Sequence, residues 1–296
     1  MSTQASTGQP GVAKMLLVSS RPVSWVNTAF PFAAAYFLTT GSIDLAFVLG
    51  TLYFLIPYNL AMYGINDVFD YESDLRNPRK GGVEGAVLDR RFHRVTLWAA
   101  VLTNVPFLVA LLLLGNPMSA LVLAVSVFAV VAYSAPGLRF KERPFLDSVT
   151  SSTHFVSPAV FALVLAGATF DVGLWAVLGA FFLWGVASQA FGAVQDIQAD
   201  RDGGIASIAT VLGARTVVRF AIGAYVVSGL LMLFVQWPAI LGGLLALPYV
   251  VNILQFAALD DKDCEKANLG WRRFIRLNFL TGFLVTMLLI WATQLA

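Results

Sequence analysis

Residues 43–74 read IDLAFVLGTLYFLIPYNLAMYGINDVFDYESD. The stretch Ile43–Ile65 is apolar and long enough to cross a bilayer core, which takes about 20 residues at 1.5 Å rise each. It runs without a turn signal into Asn66-Asp67-Val68-Phe69-Asp70-Tyr71-Glu72-Ser73-Asp74. If the helix continues, Asn66, Asp70 and Asp74 recur every fourth residue and share one face, with Asp67 one step beside that row. A membrane helix that ends in such a stack of carboxylates is the feature from which the rest of the chain is read.

Eight further stretches qualify as spans: Ser19–Thr40, Val95–Gly115, Met118–Tyr133, Phe145–Ala166, Val172–Val194, Ala214–Val235, Ala239–Ala257 and Phe274–Ala296. Thr40-Gly41-Ser42, Gly115-Asn116-Pro117 and Gln236-Trp237-Pro238 supply turn chemistry between them. Pro31, Pro57, Pro106 and Pro158 fall inside spans, where neighbouring helices can satisfy the backbone groups that proline frees. Of 296 residues, 58% are hydrophobic and 12% charged, about half the charge of a soluble domain. The reading is an all-α polytopic membrane protein of nine transmembrane helices, with a polar N-terminal tail at 1–18 and one transmembrane domain at 19–296. Met1–Lys14 lacks the charged region, short apolar core and cleavage site of a secretory signal, so no cleaved leader is expected.

Charge placement orients the chain. All nineteen Lys and Arg lie in the N-terminus, in the loops after spans two, four, six and eight, or at the adjoining helix ends. Of seventeen acids, only Asp44 and Asp171 fall on the opposite side. The positive-inside rule then predicts a multi-pass protein of the cell membrane with its N-terminus and acidic clusters cytoplasmic and its C-terminus outside. A net charge of +2 gives no reason to expect a nucleic-acid partner, and a single cysteine, Cys264, excludes an internal disulfide.

Span six ends in Gln195-Asp196-Ile197-Gln198-Ala199-Asp200-Arg201-Asp202-Gly203-Gly204, which places Asp196 and Asp200 four apart. Like charges at this spacing repel, and a divalent cation relieves the repulsion. Carboxylates with an amide carbonyl suit Mg²⁺, which completes its shell with waters and phosphate oxygens. Two carboxylate pairs at one membrane level can hold a diphosphate through metal ions. A solvated acidic helix end is the plainer reading of either cluster alone.

Asn66-Asp67-x-x-Asp70-x-x-x-Asp74 resembles the first signature of the UbiA-type intramembrane prenyltransferases, and Asp196-x-x-x-Asp200 the reduced form of their second. Within that superfamily, Ser20–Ala29, Tyr63–Asp74 and Asn77–Ala86 resemble the actinobacterial lycopene elongases of C50 carotenoid biosynthesis. The resemblance implies nine spans around a central cavity. It also implies Mg²⁺ as cofactor, held by Asn66, Asp70, Asp74, Asp196 and Asp200. The implied donor is dimethylallyl diphosphate, and the acceptor is lycopene or another lipophilic molecule drawn from the membrane lipids. Arg21, Tyr133 and Lys141 are implied as diphosphate contacts, and Lys80, next to the first cluster, is read with them. Candidate catalytic residues are Asp67, Asp70 and Asp196.

The base that ends the reaction stays unassigned, with Asp67 and Asp147 as candidates. Asp147 is also placed to cap span five. His154, inside that span, is read as a satisfied interior residue. Tyr53, Phe54, Tyr58, Tyr63, Trp25 and Phe30 are candidates for a slot that stabilises a cation over ring faces, with packing or facing lipid the plainer reading of any one of them. The glycines at 81, 82 and 85 suggest a lid. Two other functions are weighed: prenylation of an aromatic quinone precursor, and cation or proton transport, since intramembrane carboxylates often mark ion pathways.

Overall fold

A computed structural model describes residues 11–75 and 88–295. In chain order its helices are α1 (Val12–Ser19), α2 (Val26–Thr40), α3 (Leu45–Leu55), α4 (Pro57–Phe69), α5 (Tyr71–Asp74), α6 (His93–Leu114) and α7 (Pro117–Ser134). Then follow α8 (Leu146–Leu165), α9 (Val172–Val194), α10 (Ile197–Asp202), α11 (Ile208–Leu212), α12 (Ala214–Leu231), α13 (Leu247–Leu254) and α14 (Ala267–Leu295). No strand occurs among the described residues.

Seven helical segments are long and apolar enough to cross a membrane: Leu45–Phe69, Arg90–Leu114, Pro117–Ser134, Leu146–Leu165, Val172–Val194, Ala214–Phe234 and Asp261–Ala292. The other two expected spans are shorter helices. The first covers only Val26–Thr40, because Arg21 takes a left-handed backbone (φ 50°) and Pro22–Ser24 forms a 3₁₀ turn, which removes residues 19–25 from the helix. The eighth, Ala239–Leu254, opens with 3₁₀ turns over Ala239–Ala246. The end of the N-terminal tail winds into α1, whose Met15 packs beside Val68, Leu88 and Phe92.

Pro57 divides span two into α3 and α4, since it has no N–H to give the preceding turn. The carbonyls around it find partners on other helices. Phe54 O accepts from Thr28 Oγ1 (2.6 Å) and Asn59 Nδ2 (2.8 Å), and Pro57 O accepts from Asn104 Nδ2 (2.7 Å). This is the compensation a bilayer demands, where no water can take over. Gly50 lets α3 lie against α2: a Cβ there would stand 2.0 Å from Phe32 Cζ. The two outer acids are helix caps. Asp44 accepts from Phe47 N (2.9 Å) and Asp171 from Leu174 N (2.7 Å). The Phe47 N–H holds the Asp44 carboxyl below the usual carboxylate range.

Two large clusters make up most of the core. One cluster joins Phe32, Tyr53, Phe54, Tyr58 and Phe161 from the N-terminal helices, and the other joins Phe191, Val218, Tyr225 and Tyr249 from the C-terminal ones. The pairing of α8 with α9 links the halves, and Gly185 makes room for it: a Cβ there would meet Ser152 Oγ at 2.4 Å. Exposed tryptophans at helix ends, such as Trp98, Trp175 and Trp237, are typical of a membrane interface.

Candidate functional site

Both acidic clusters sit where a helix breaks. Span two does not continue smoothly through its acidic row: α4 stops at Phe69, Asp70 turns the chain (φ −97°, ψ 0°), and α5 follows. Likewise α9 stops at Val194, and Asp196 (φ −98°, ψ −3°) opens α10. Asn66, Asp70, Asp196, Asp200 and Asp202 line one cavity of about 2180 Å³. The cavity also takes in Arg21, Tyr63, Tyr133, Arg139 and Lys141. Helices from opposite halves of the chain therefore bring their carboxylates and the basic residues to the same head of one chamber. Lys80 and the 81–85 glycines lie outside the described residues, as does the side chain of Asp74.

Cations sit against the first cluster. Lys141 Nζ is bonded to Asp70 and lies 3.4 Å from Asn66 Oδ1, which also accepts from Ser134 Oγ (3.0 Å). Arg139 reaches Asp70 at 3.8 Å and pairs with Glu142. Arg139 takes a left-handed backbone, as Arg21 does. Such strained geometry tends to gather at functional sites. Burial pushes the Lys141 ammonium down to about 8, while Glu142 and Asp67 act in the opposite direction.

Asp67 occupies a different place from its neighbours. It is 2% exposed and does not line the cavity. Its carboxylate accepts from the Arg21 guanidinium at 3.0 Å, and that guanidinium lies 4.3 Å over the Tyr63 ring. The chain at Arg21 is thus pinned from behind by Asp67, with the guanidinium left at the cavity wall.

The second cluster is held by backbone and loop. Arg201 turns to Asp261 (2.8 Å) and to the Thr210 carbonyl (2.7 Å). Gln195 Oε1 accepts from Asn268 Nδ2 (2.6 Å). Asp147 lies inside the first turn of α8, past the N-cap Phe145, where its buried carboxylate accepts from Ser148 N (2.6 Å). It also accepts from Ile208 N (2.8 Å), tying the segment after the cluster to α8.

Of the aromatic candidates, Tyr63 and Phe30 line the cavity. Tyr53, Phe54 and Tyr58 are packed into the N-terminal core with Phe32 and Phe161, and Trp25 Nε1 bonds the Ser20 carbonyl. Sequence reasoning left Arg139, Ser134 and Gln189 out of the site. Arg139 was visible only as one more basic loop residue, and the others carried no charge to mark them. Below the acidic head the wall turns apolar, with Ala159, Leu163, Leu178 and Phe181 on α8 and α9. Lining residues on α9 run from Leu174 to Ala193, roughly 28 Å of helix.

The donor set fits Mg²⁺: oxygen ligands only, from two sides, at a head that also gathers cations for phosphate. Among the described residues no three His, Cys, Asp or Glu side chains are grouped so that they could hold a metal ion by themselves. An open, few-ligand arrangement suits an ion that keeps waters and takes phosphate oxygens.

Comparison with known proteins agrees with this chemistry. Residues 28–280 match the UbiA prenyltransferase family. The chain is 58% identical to the C(50) beta-cyclic carotenoids biosynthesis protein LbtBC of Dietzia sp. (strain CQ4), over 98% of this chain and 67% of that protein. It is 53% identical to the lycopene elongase/hydratase of Corynebacterium glutamicum, over 94% of this chain and 96% of that one. The fold is shared with a UbiA homolog from Archaeoglobus fulgidus bound to DMAPP and Mg²⁺ (TM-score 0.64, 19% identity, 90% of this chain and 98% of that one). An intramembrane cavity with two carboxylate banks at its head, and sequence identity above half to such relatives, places the chain in the UbiA prenyltransferase family as a membrane prenyltransferase.

Proposed function

We propose that the protein transfers a dimethylallyl group from its diphosphate to lycopene, with Mg²⁺, giving C45 and then C50 carotenoids. The observation that carries this reading is the shape of the cavity: a charged head joined to a long apolar shaft, within relatives named for lycopene elongation. An acceptor too apolar to leave the bilayer calls for such a shaft. We read Val26–Thr40 and Ala239–Leu254 as two further crossings, nine in all, within a single domain from residue 19 onward. The charge asymmetry of the loops puts the N-terminus and the charged head in the cytoplasm and the C-terminus outside.

In this mechanism Asn66, Asp70, Asp74, Asp196 and Asp200 would hold Mg²⁺. When bound, Mg²⁺ supplies neutralisation of the charge that develops on the departing diphosphate. Lys141 and Arg21, with Tyr133 and Lys80, add charge-assisted and hydroxyl contacts to the diphosphate oxygens. Asp67 acts by holding Arg21. The C–O bond of the donor breaks with its electrons leaving on the diphosphate. The terminal double bond of lycopene attacks the allylic cation, and proton loss or water addition completes the product. The apolar wall of the shaft disfavours water around the cation.

The test is expression in a lycopene-accumulating bacterium, with the extracted pigments weighed by mass spectrometry. New species heavier by one and two C5 units, absent with Asp70→Asn, are expected. Unchanged lycopene beside protein shown to be in the membrane would overturn the acceptor and point to a phenolic one.

A further inference from the structure

The oxygens assigned to Mg²⁺ at the first cluster already hold a cation, and it belongs to the chain. Lys141 Nζ is bonded to Asp70 Oδ1 and lies 3.4 Å from Asn66 Oδ1. All three residues line the cavity. An ammonium can only donate, so the amide atom that faces it is the carbonyl oxygen, the atom a metal would use. One charge therefore rests on both described ligands of this bank at once. The Lys141 and Asp70 side chains are each 12% exposed, and solvent ions screen such a pair poorly.

Short-range structure holds the ammonium there. Lys141 stands in the connection between α7 and α8, where Arg139 with its left-handed backbone leads into one 3₁₀ turn, Phe140–Glu142. Arg139 pairs with Glu142 across that turn, and Arg143 donates to the Gly137 carbonyl (3.2 Å). Ser134 Oγ donates to Asn66 Oδ1 (3.0 Å) and ties the amide to the end of α7. Arg139 comes within 3.8 Å of the same Asp70 oxygen, near enough to add charge but beyond hydrogen-bond distance.

A divalent ion and this ammonium compete. Metal that arrives alone must take Asp70 from Lys141. It leaves a largely buried ammonium without that carboxylate and beside a second cation. Metal that arrives with a diphosphate meets a different balance. Phosphate oxygens in the same cavity offer the ammonium a new acceptor, and its flexible four-carbon stem lets it turn to them while the loop stays in place.

We propose that Lys141 is a tethered counter-ion that keeps the metal weakly bound until a diphosphate is present, so that metal and diphosphate enter together. The inference rests on the metal–diphosphate reading above. By linkage, the factor by which diphosphate tightens metal is the factor by which metal tightens diphosphate. Lys141 enlarges both, since it opposes the ion alone and grips the anion.

The test uses full-length protein in nanodiscs of uncharged lipid. Mn²⁺ takes the same oxygen ligands as Mg²⁺ and is followed by its electron paramagnetic resonance signal. It is titrated into substrate-free wild type, Lys141→Met and Arg139→Met. A non-ionising thiolo analogue of dimethylallyl diphosphate is then titrated into the same proteins, at a Mn²⁺ concentration that saturates each. Lys141→Met is expected to bind Mn²⁺ about tenfold more tightly and the analogue about tenfold more weakly, the scale of one charge-assisted hydrogen bond in a buried place. Arg139 is more exposed, already paired with Glu142 and off the ligand oxygens, so Arg139→Met should gain distinctly less Mn²⁺ affinity. If Lys141→Met does not fold, Lys141→Gln carries the test. Mn²⁺ binding that stays the same or weakens in a folded Lys141 variant, analogue binding that does not weaken, or an equal Mn²⁺ gain in Arg139→Met would overturn the proposal. A wild type that binds neither Mn²⁺ nor the analogue overturns the metal–diphosphate reading and this proposal with it. A wild type that binds both, beside a Lys141→Met of unaltered Mn²⁺ affinity, overturns the role of Lys141 alone.

Discussion

The two acidic clusters occupy equivalent helix breaks in the two halves of the chain, yet their surroundings differ. Around the first, Arg21 meets Asp67, while Lys141 and Arg139 meet Asp70. Around the second, the neighbouring Arg201 is drawn away to Asp261 and Thr210, and the support comes from Asn268 on Gln195 and from Asp147 on Ile208. Among the described contacts, the first cluster's carboxylates meet side-chain cations, and the segments flanking the second are tied to backbone and loop. A site that must both hold metal and grip an anion can divide these tasks. Cations resting on carboxylates are already placed for diphosphate oxygens, while the opposite bank keeps its geometry.

That division can be broken in several ways. The largest effect is expected from chelation: removing divalent ions with EDTA should bring turnover to background, and added Mg²⁺ should restore it. Activity that survives chelation would leave both clusters without their assigned task. Next comes Lys141→Met, which removes a cation while keeping much of the stem. Donor KM should rise and kcat/KM fall by about 10- to 100-fold, the scale expected when a buried site gives up one charge-assisted hydrogen bond. A kinetic titration against dimethylallyl diphosphate reads this directly.

Asp67→Asn should do less, about tenfold in kcat/KM, because it acts through Arg21. Combining it with Arg21→Ala should add little if the two form one unit. Full additivity would separate them. The smallest effect belongs to Arg201→Ala at the second cluster. Its ion pair with Asp261 is more than a third exposed on both sides, so about 0–1 kcal/mol of stability is expected and turnover within about twofold of wild type. A large loss of turnover there would mean that the second cluster depends on Arg201 for its geometry.

Much of this site was legible because charge is scarce in an apolar chain. Asn66, Asp70, Asp196, Asp200, Arg21, Tyr133 and Lys141 all reach the cavity they were expected to share. What escaped was set by tertiary packing. The helical row through Asp70 gave no warning of a break, since no Gly or Pro stands there. Asp67 and Asp70 look alike in sequence, but their directions part at that break, one toward the buried side and one toward the cavity. Tyr53, Phe54 and Tyr58, weighed as a cation-lining slot against plain packing, are packed into the N-terminal core. The short first span had a readable cause in Pro22, whereas the left-handed turn at Arg21 did not. Asp44 and Asp171, the only acids expected on the outer side, proved to be helix caps, which removes the outer end of any carboxylate relay for an ion.

The central claim is that the two banks hold one diphosphate together. It is tested most directly by calorimetric titration of a non-ionising thiolo analogue of dimethylallyl diphosphate, with Mg²⁺, into wild type, Asp70→Asn, Asp196→Asn and the double variant. Each single substitution should weaken binding by on the order of 10²-fold, and the double variant should be little worse than either, because the bridge between the banks can be broken only once. Additive losses, or binding that survives Asp196→Asn unchanged, would contradict the account.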